Sequence, residues 1–596
     1  QVCRGVSWLL NLVCALSCST EMHAAPFLIA CLAYSGGGRR VKRQNVRLQE
    51  SLWEEFQNSQ LLDNLQVAPL KLFLAALVPA AGWQVSGEVP CRGFCKQFNG
   101  ELAGRFNLPP QQLNPSLRRP AAPLASDLLS ADALASKSMD SNIPDSHGLA
   151  AERAEAVKLV EDAIEALQPT FATIDRRTER WLTRVLDAFR HHRVGARHFA
   201  GVDGYGHGDI GREALDEIVA ELMGAEKALV RVQMFSGTHA IACALFGVLR
   251  PGHTLLGVSG APYDTLEEVI GMRGRTDDGL RGSLADFDVS YRQVELTPSG
   301  TFDLPSIESA LAEYPNTRMV HVQRSCGYSW RPSIPIAEIE RLAKWLDEHH
   351  PDIVLFVDNC YGEFVEEQEP CAVGAHLVAG SLIKNPGGTL APSGGYVAGR
   401  ADLVAAASRR LSAPGVEGGA TLSQSRLLYQ GLFHAPNVVG EALKGALLVA
   451  EVMSSLGYEC NPAPTDARTD IIQAVKLGSR EKVLAFCASV QRCSPVGSHI
   501  LPVAGITPGY GDETVFADGT FIDGSTLELS ADGPLREPFA VYVQGCTHWT
   551  HWSIVLRDAL TAMVEDGLSL SMSAQDAASA AGSNKRYAGR RTLRNQ

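Results

Sequence analysis

Asp358 follows directly on the apolar run "IVLFV", and Lys384 ends a second such run, "HLVAGSLIK". A carboxylate just past a buried strand is costly without a cation or hydrogen-bond donors beside it; capping of the next turn is its structural alternative. A lysine ending a buried run is expected to bind its proton less tightly through desolvation, which makes it a nucleophile toward an aldehyde. A surface lysine at a strand end is the plain alternative. Together the two form the pair that pyridoxal 5'-phosphate needs: a lysine for the aldehyde and an acid that keeps the ring nitrogen protonated.

That cofactor also requires a phosphate cradle and a ring clamp. In "VRVQMFSGTHAIACALFGVLRPG" a strand leads into Ser236-Gly237-Thr238 and then a helix, so backbone N–H groups and a helix N-terminus face one point. Ser and Thr are also ordinary helix caps. Tyr263, in "GAPYDT", is placed to stack on the pyridine ring or to serve as a turn or core tyrosine. Ser381 offers a hydroxyl for the phosphate, and Gln323 and Arg324, after "MVHV", stand where a polar side chain reaches the ring's phenolic oxygen; Arg324 is also a candidate for binding the substrate.

These residues need a parallel sheet, because ligands collect at the carboxyl ends of its strands. "HTLLGVS", "TRMVHVQ" and "DIVLFVDN" read as buried strands, and amphipathic segments such as "IPIAEIERLAKWLDEHH" as the helices between them. The expected fold class is therefore α/β with a mostly parallel central sheet. Two helices are expected to open the folded body, within "LAAERAEAVKLVEDAIEALQPTFATIDRRTERWLTRVLDAFRHHRV". A smaller α+β C-terminal domain follows, with strands expected in "RTDIIQAVKL" and "GTFIDGSTLELS" and a helix in "SREKVLAFCASVQ". The division reads as 1–50 possible targeting segment, 51–150 linker-like, 151–225 helical arm, 226–434 large domain, 435–568 small domain and 569–596 disordered tail.

The 596 residues, 45% of them hydrophobic and 20% charged, suit a folded soluble protein. A net charge of -13 gives no footprint for nucleic acid, and no membrane contact is expected of the body. The fourteen cysteines are scattered, as in a reduced interior; Cys91 and Cys95 form a lone C-x-x-x-C without a second pair, so no metal is expected. "VSWLLNLVCALSC" and the basic residues of the first fifty suit a signal or transit peptide, which leaves a cytoplasmic or organellar address open, chloroplast included.

The order of S-G-T-H, A-P-Y-D-T, Q-R-S-x-G-Y-S-W-R-P-S, V-D-N-x-Y-G-E-F and S-L-I-K-N-P-G-G resembles the methionine gamma-lyase-like, or aluminium resistance, family of pyridoxal phosphate enzymes. The likeness runs over roughly residues 155–565 and takes in "QGLFHAPNVVGEALKG" and "GSTLELSADGPLREP". It implies the aspartate aminotransferase type of fold and carbon–sulfur elimination on a sulfur amino acid. By the same likeness Lys384 holds the cofactor and Asp358 its ring nitrogen, Tyr263 stacks, and Gly237, Thr238 and Ser381 surround the phosphate. It points to Arg536 as the nearest candidate for the substrate carboxylate, in a homodimer or homotetramer with shared sites. Cystathionine lyases usually read Ser-x-Thr-Lys; here the serine stands one position further away, and Ile383 precedes the lysine.

Other pyridoxal phosphate reactions, such as transamination, and a catalytically silent member linked to aluminium tolerance are the alternatives. A different class is raised by Gly206-His207-Gly208-Asp209-Ile210-Gly211, which fits the G-x-G-x-x-G of a dinucleotide-binding turn. That turn needs an apolar strand in front of it, and "RVGARHFAGVD" is none. The resemblance to related lyases, in which this segment contributes a tyrosine to the neighbouring subunit's cofactor phosphate, implies that role for Tyr205, and the glycines would then let the arm pass close to the partner.

Overall fold

The computed structural model describes residues 147–272, 282–507 and 509–565. The chain divides into two units, Gln1–Ser138 and Met139–Gln596, and everything described below belongs to the second. The readings for 1–50, most of 51–150 and 569–596, with Cys91 and Cys95, lie outside the described residues.

One helix, not two, opens the body. α1 runs without a break over His147–His191, with Pro169 inside it. Proline removes one backbone donor and commonly ends a helix. Here the buried stripe of Val160, Ala163, Leu167, Phe171, Ile174, Trp181, Val185 and Ala188 continues past it on one face, and packing against three other helices outweighs the missing bond. α2 (Ile210–Met223) follows, capped by Asp209 and closed by Gly224 in the left-handed region.

The large domain alternates strands and helices: β1 (Lys227–Arg231), α3 (Gly237–Val248), β2 (Thr254–Gly257), α4 (Asp264–Ile270), β3 (Ser290–Gln293), α5 (Leu304–Glu313), β4 (Thr317–Gln323), α6 (Ile336–His349), β5 (Val354–Asp358), β6 (Leu377–Ser381), β7 (Gly395–Gly399) and α7 (Ala401–Leu411). Its seven-stranded sheet has the order β1-β7-β6-β5-β4-β2-β3. All neighbouring pairs are parallel except those of β7, which runs against β1 and β6. β4, β5 and β6 are almost wholly buried, which explains why they read as continuous apolar runs.

α8 (Ser425–Ser455) passes through residues 434 and 435 as 31 residues of continuous helix, with Pro436 inside, and leads to the small domain. There β8 (Cys460–Asn461), β9 (Gln473–Lys476), α9 (Arg480–Cys493), β10 (Gly505–Ile506), β11 (Glu513–Ala517), β12 (Ser530–Pro534), β13 (Ala540–Gln544) and α10 (Thr550–Glu565) build a six-stranded antiparallel sheet of order β10-β11-β12-β13-β9-β8. "GTFIDGSTLELS" is not strand apart from its last residue; the ladder uses the segments on either side of it. Glu528 holds this stretch as a loop, its carboxylate accepting from the N–H groups of Phe521 (2.7 Å) and Ile522 (3.1 Å). Among the described residues no helix is long and apolar enough to cross a membrane.

Candidate active site

Three neighbouring strands end together. Gln323 of β4 stands beside Asp358 of β5, and Asp358 beside Ala379 of β6, two residues before the end of that strand, so the carboxyl ends of the three lie side by side at the crevice where ligands collect in parallel sheets. Asp358 is buried, and its Oδ1 accepts from the Cys360 N–H at 3.1 Å, so the turn-capping role is filled as well. Burial raises its carboxyl above the ordinary range, against the pull of the Lys384 ammonium and the Cys360 N–H.

Lys384 lies in the turn after β6, its Nζ 3.9 Å from the centre of the Tyr361 ring. Its charge state corrects the expectation from sequence. Burial does weaken its hold on a proton, but Cys360, Tyr361 and Asp358 around it more than compensate, and the ammonium is held well above its ordinary range. Without cofactor this lysine is a buried cation facing an acid, and it becomes a nucleophile only when its proton is removed.

The backbone of that turn is tightly set. A Cβ on Gly387 would lie 1.6 Å from the Leu382 carbonyl oxygen, and one on Gly388 2.1 Å from that of Gly431 in α8; Gly431 in turn would meet the Gly387 oxygen at 2.2 Å. Only glycine fits at these three points, so the lysine's turn rests directly on the helix backbone.

Ser236 caps α3, accepting from the His239 N–H at 3.2 Å. A Cβ on Gly237 would stand 3.0 Å from Cys360 Sγ and 3.1 Å from Ser381 Cβ, which brings the start of α3 against the end of β6. The Thr238 hydroxyl is 2.8 Å from the Tyr263 hydroxyl and 3.3 Å from that of Thr265. Tyr263 is fixed through its backbone N–H, which donates to Gln323 Oε1 at 2.8 Å. Burial, with Asp358 and Cys360 nearby, pushes the Tyr263 phenol well above its ordinary range, so it keeps its proton at neutral pH. Gln323 also donates from Nε2 to the Ser325 carbonyl at 3.0 Å.

Ser381 is fully buried, and its hydroxyl has no hydrogen-bond partner. An unpaired buried hydroxyl costs about 1–3 kcal/mol unless a water or a bound group supplies its partner. An anion at the N-terminus of α3 would satisfy it. The side chains present therefore fit pyridoxal phosphate: donors where a phosphate goes, a phenol and a glutamine for the ring, an acid and a lysine at its two reactive points.

Two arginines expected to meet cofactor or substrate have partners of their own within this chain. Arg324 is fully buried, and its guanidinium donates to Asn359 Oδ1 (2.7 Å), Glu366 Oε2 (2.6 Å) and the Ile334 carbonyl (3.4 Å). Its donors serve the packing of α6 and the turn after β5, not a substrate. Arg536 lies beyond the end of β12 and pairs with Asp512. Tyr205 is 64% exposed, stacked on His207, and within this chain stands apart from the crevice.

The glycines around Tyr205 have a structural task. Gly204, Gly206 and Gly208 have φ of 61°, 70° and 72°, and a Cβ on Gly206 would lie 2.8 Å from both Ala420 N and Arg212 Nη1. Asp209 then ties the loop down, accepting from Arg212 N (3.0 Å), Thr421 N (3.0 Å) and Thr421 Oγ1 (2.8 Å). Among the described residues no strand precedes these glycines, and a dinucleotide turn would require one.

Sequence reasoning gave no role to Tyr361 or Asp532, although both stand in quoted motifs. A family model described as methionine gamma-lyase matches residues 156–564 of this chain. The chain belongs to the methionine gamma-lyase family. An uncharacterised Bacillus subtilis protein, YnbB, is 46% identical over 411 residues, which are 69% of this chain and 96% of that protein. A crystal structure of a carbon–sulfur lyase involved in aluminium resistance from Clostridium novyi is 41% identical, covers 70% of this chain and 99% of its own, and superposes with a TM-score of 0.65. The L-methionine gamma-lyase of Pseudomonas putida is 29% identical over 256 residues, 43% of this chain and 53% of that enzyme. The fold is thus the one expected: that of the pyridoxal phosphate-dependent lyases, of the aspartate aminotransferase type.

Proposed function

We propose that the protein is a pyridoxal phosphate-dependent carbon–sulfur lyase acting on a sulfur-containing amino acid. The observation that carries this reading is the meeting of Lys384, Asp358 and the unpaired Ser381 hydroxyl in one crevice at the strand ends. The cofactor, when bound, supplies a carbonyl for amines and a ring that withdraws electrons from the substrate's Cα. Ser236, Gly237, Thr238 and Ser381 would hold its phosphate, Gln323 would meet its phenolic oxygen, Tyr263 would stack on the ring, and Asp358 would keep a proton at the ring nitrogen.

Lys384 Nζ would take the Cα proton of the substrate and become an ammonium again. Tyr263, a phenol at neutral pH, gives a proton to the departing sulfur as the carbon–sulfur bond breaks. The products are a thiol and an unsaturated amino acid that water converts to a 2-oxo acid and ammonia. Tyr205, exposed in the single chain, is assigned to the cofactor phosphate of a neighbouring subunit in a dimer or tetramer.

The test is a screen of methionine, cystathionine, cysteine and homocysteine for release of thiol and 2-oxo acid by the reconstituted protein, alongside its Lys384→Ala variant. Release by wild type alone supports the reading. Transfer of the amino group without thiol release would replace it with an aminotransferase. No reaction from a protein that binds the cofactor would favour the silent, metal-tolerance reading.

A further inference from the structure

The small-domain sheet turns one face toward the crevice. From that face Tyr542, Ala540, Ile472 and Ala474 pack with Tyr328, Tyr361 and Cys326. Asp532 of β12 is paired across the ladder with Tyr542 of β13, and directly opposed residues leave a sheet on the same side. Its carboxylate therefore points the same way as the tyrosine. The Tyr328 hydroxyl stands against it, and Gln544 Nε2 lies 3.4 Å from Oδ2. Oδ1 is closed to solvent and accepts no hydrogen bond. A shielded carboxylate oxygen without a donor weakens the fold, so packing does not account for an acid at this point. Tyr361, which packs against this face, carries Lys384 Nζ 3.9 Å from the centre of its ring, so Lys384 is a cation on the side toward which Asp532 points, although no ion pair within 4 Å joins the two.

We propose that Asp532 is a positioning residue of the site: the small-domain carboxylate that holds Lys384 as an ammonium whenever the lysine is free of cofactor. The inference rests on the reading of Lys384 as the proton carrier. In that step the Cα–H bond breaks, the proton moves to Nζ, and the charge that Nζ gains is met by Asp532 across the crevice. Asp358 faces the lysine from β5, and Cys360, Tyr361 and Glu363 from the turn after it; Tyr263 and Tyr510 stand within its field as well. Burial raises the Cys360 thiol and these phenols above their ordinary ranges and raises Glu363 to about 8. Burial also raises Asp532, to about 7, with Tyr328 drawing it down, Asp518 adding to the rise and Lys384 drawing it down again. A carboxyl of that strength changes charge in the pH range where an enzyme of this kind works.

The test reads Lys384 directly, without turnover. The cofactor-free full-length protein is acylated with trace acetic anhydride between pH 6 and 11, and the Lys384 peptide is quantified by mass spectrometry, with exposed Lys158 as internal reference. In wild type the rise of Lys384 reactivity with pH should bend downward as Asp532 ionises between pH 6 and 8. In Asp532→Asn and Asp532→Ser the bend should shrink, and Lys384 should react about tenfold faster at pH 8.5, one unit of lost proton affinity. Asp532→Glu should restore the wild-type curve, and Lys158 should not change in any variant. A wild-type curve with no bend, or a folded neutral variant with unchanged Lys384 reactivity, would overturn the proposal. Because no substrate is used, failure of the lyase reading would show separately in the amino-acid screen.

Discussion

The Lys384 ammonium rests 3.9 Å above the centre of the Tyr361 ring, which reaches it from a backbone φ of 74°. A desolvated cation over an aromatic face is worth about 2 kcal/mol. Tyr361→Phe keeps that face and should leave urea stability of the cofactor-free protein within about 1 kcal/mol of wild type. Tyr361→Leu should lower it by about 2 kcal/mol or more, since it also leaves space behind. Equal losses in the two variants would assign the contact to the hydroxyl instead.

Ser381 separates cofactor binding from folding. Ser381→Ala removes an unpaired hydroxyl, so the cofactor-free protein should be as stable as wild type or more stable by up to about 1 kcal/mol. Its affinity for pyridoxal phosphate, measured by absorbance titration, should fall about five- to tenfold. A drop in stability with unchanged affinity would contradict the cradle.

Gly237→Ala tests the same place by filling it. The added methyl would meet Cys360 Sγ at 3.0 Å and Ser381 Cβ at 3.1 Å, both tighter than ordinary contact. Cofactor affinity should fall by about tenfold or more. Full retention would mean that the phosphate lies elsewhere.

Glu363 gives a pH dependence with a definite sign. Its carboxyl is raised from 4.5 to about 8 by burial, with its Oε1 accepting from the Tyr396 hydroxyl at 2.9 Å. The unfolded chain releases this proton first, so the stability tied to the protonated form is full below about pH 4.5 and is lost as pH rises toward 8. Glu363→Gln, which cannot ionise, should flatten the decline in urea stability of the cofactor-free protein between pH 5 and 8. An unchanged slope would place the titration on another group.

Asp209 anchors the glycine loop through three donors. Asp209→Ala strands the Arg212 and Thr421 groups and should cost about 2–4 kcal/mol in urea unfolding. Tyr205→Phe should leave that stability alone and weaken cofactor retention on dialysis; a monomeric holoenzyme would exclude its cross-subunit role.

What sequence made legible follows from where burial and chemistry coincide. β4, β5 and β6 are buried on both sides, so they stand out as apolar runs, and the residues ending them, Gln323, Asp358 and Ser381, could be named. β12 was illegible for the opposite reason. It reads "SADGP", and Asp, Gly and Pro are all poor strand formers, so the segment that carries Asp532 passes for a turn. Arg324 misled because its position after a strand fixes where its backbone lies but not which way the side chain leaves it. The single helix α1 was missed because Pro169 is a local signal, and the stripe that overrides it is set by partners hundreds of residues away.

The three glycines where the Lys384 turn meets α8 leave no side chain between the two backbones. Side chains normally act as cushions, absorbing a displacement by changing rotamer. A bare backbone contact cannot yield in that way. A shift of the helix that carries the small domain must therefore be felt at the lysine, so the joint works as a rigid bearing. Random mutagenesis should find this patch among the least forgiving surfaces of the protein, although none of the three residues offers a reactive group.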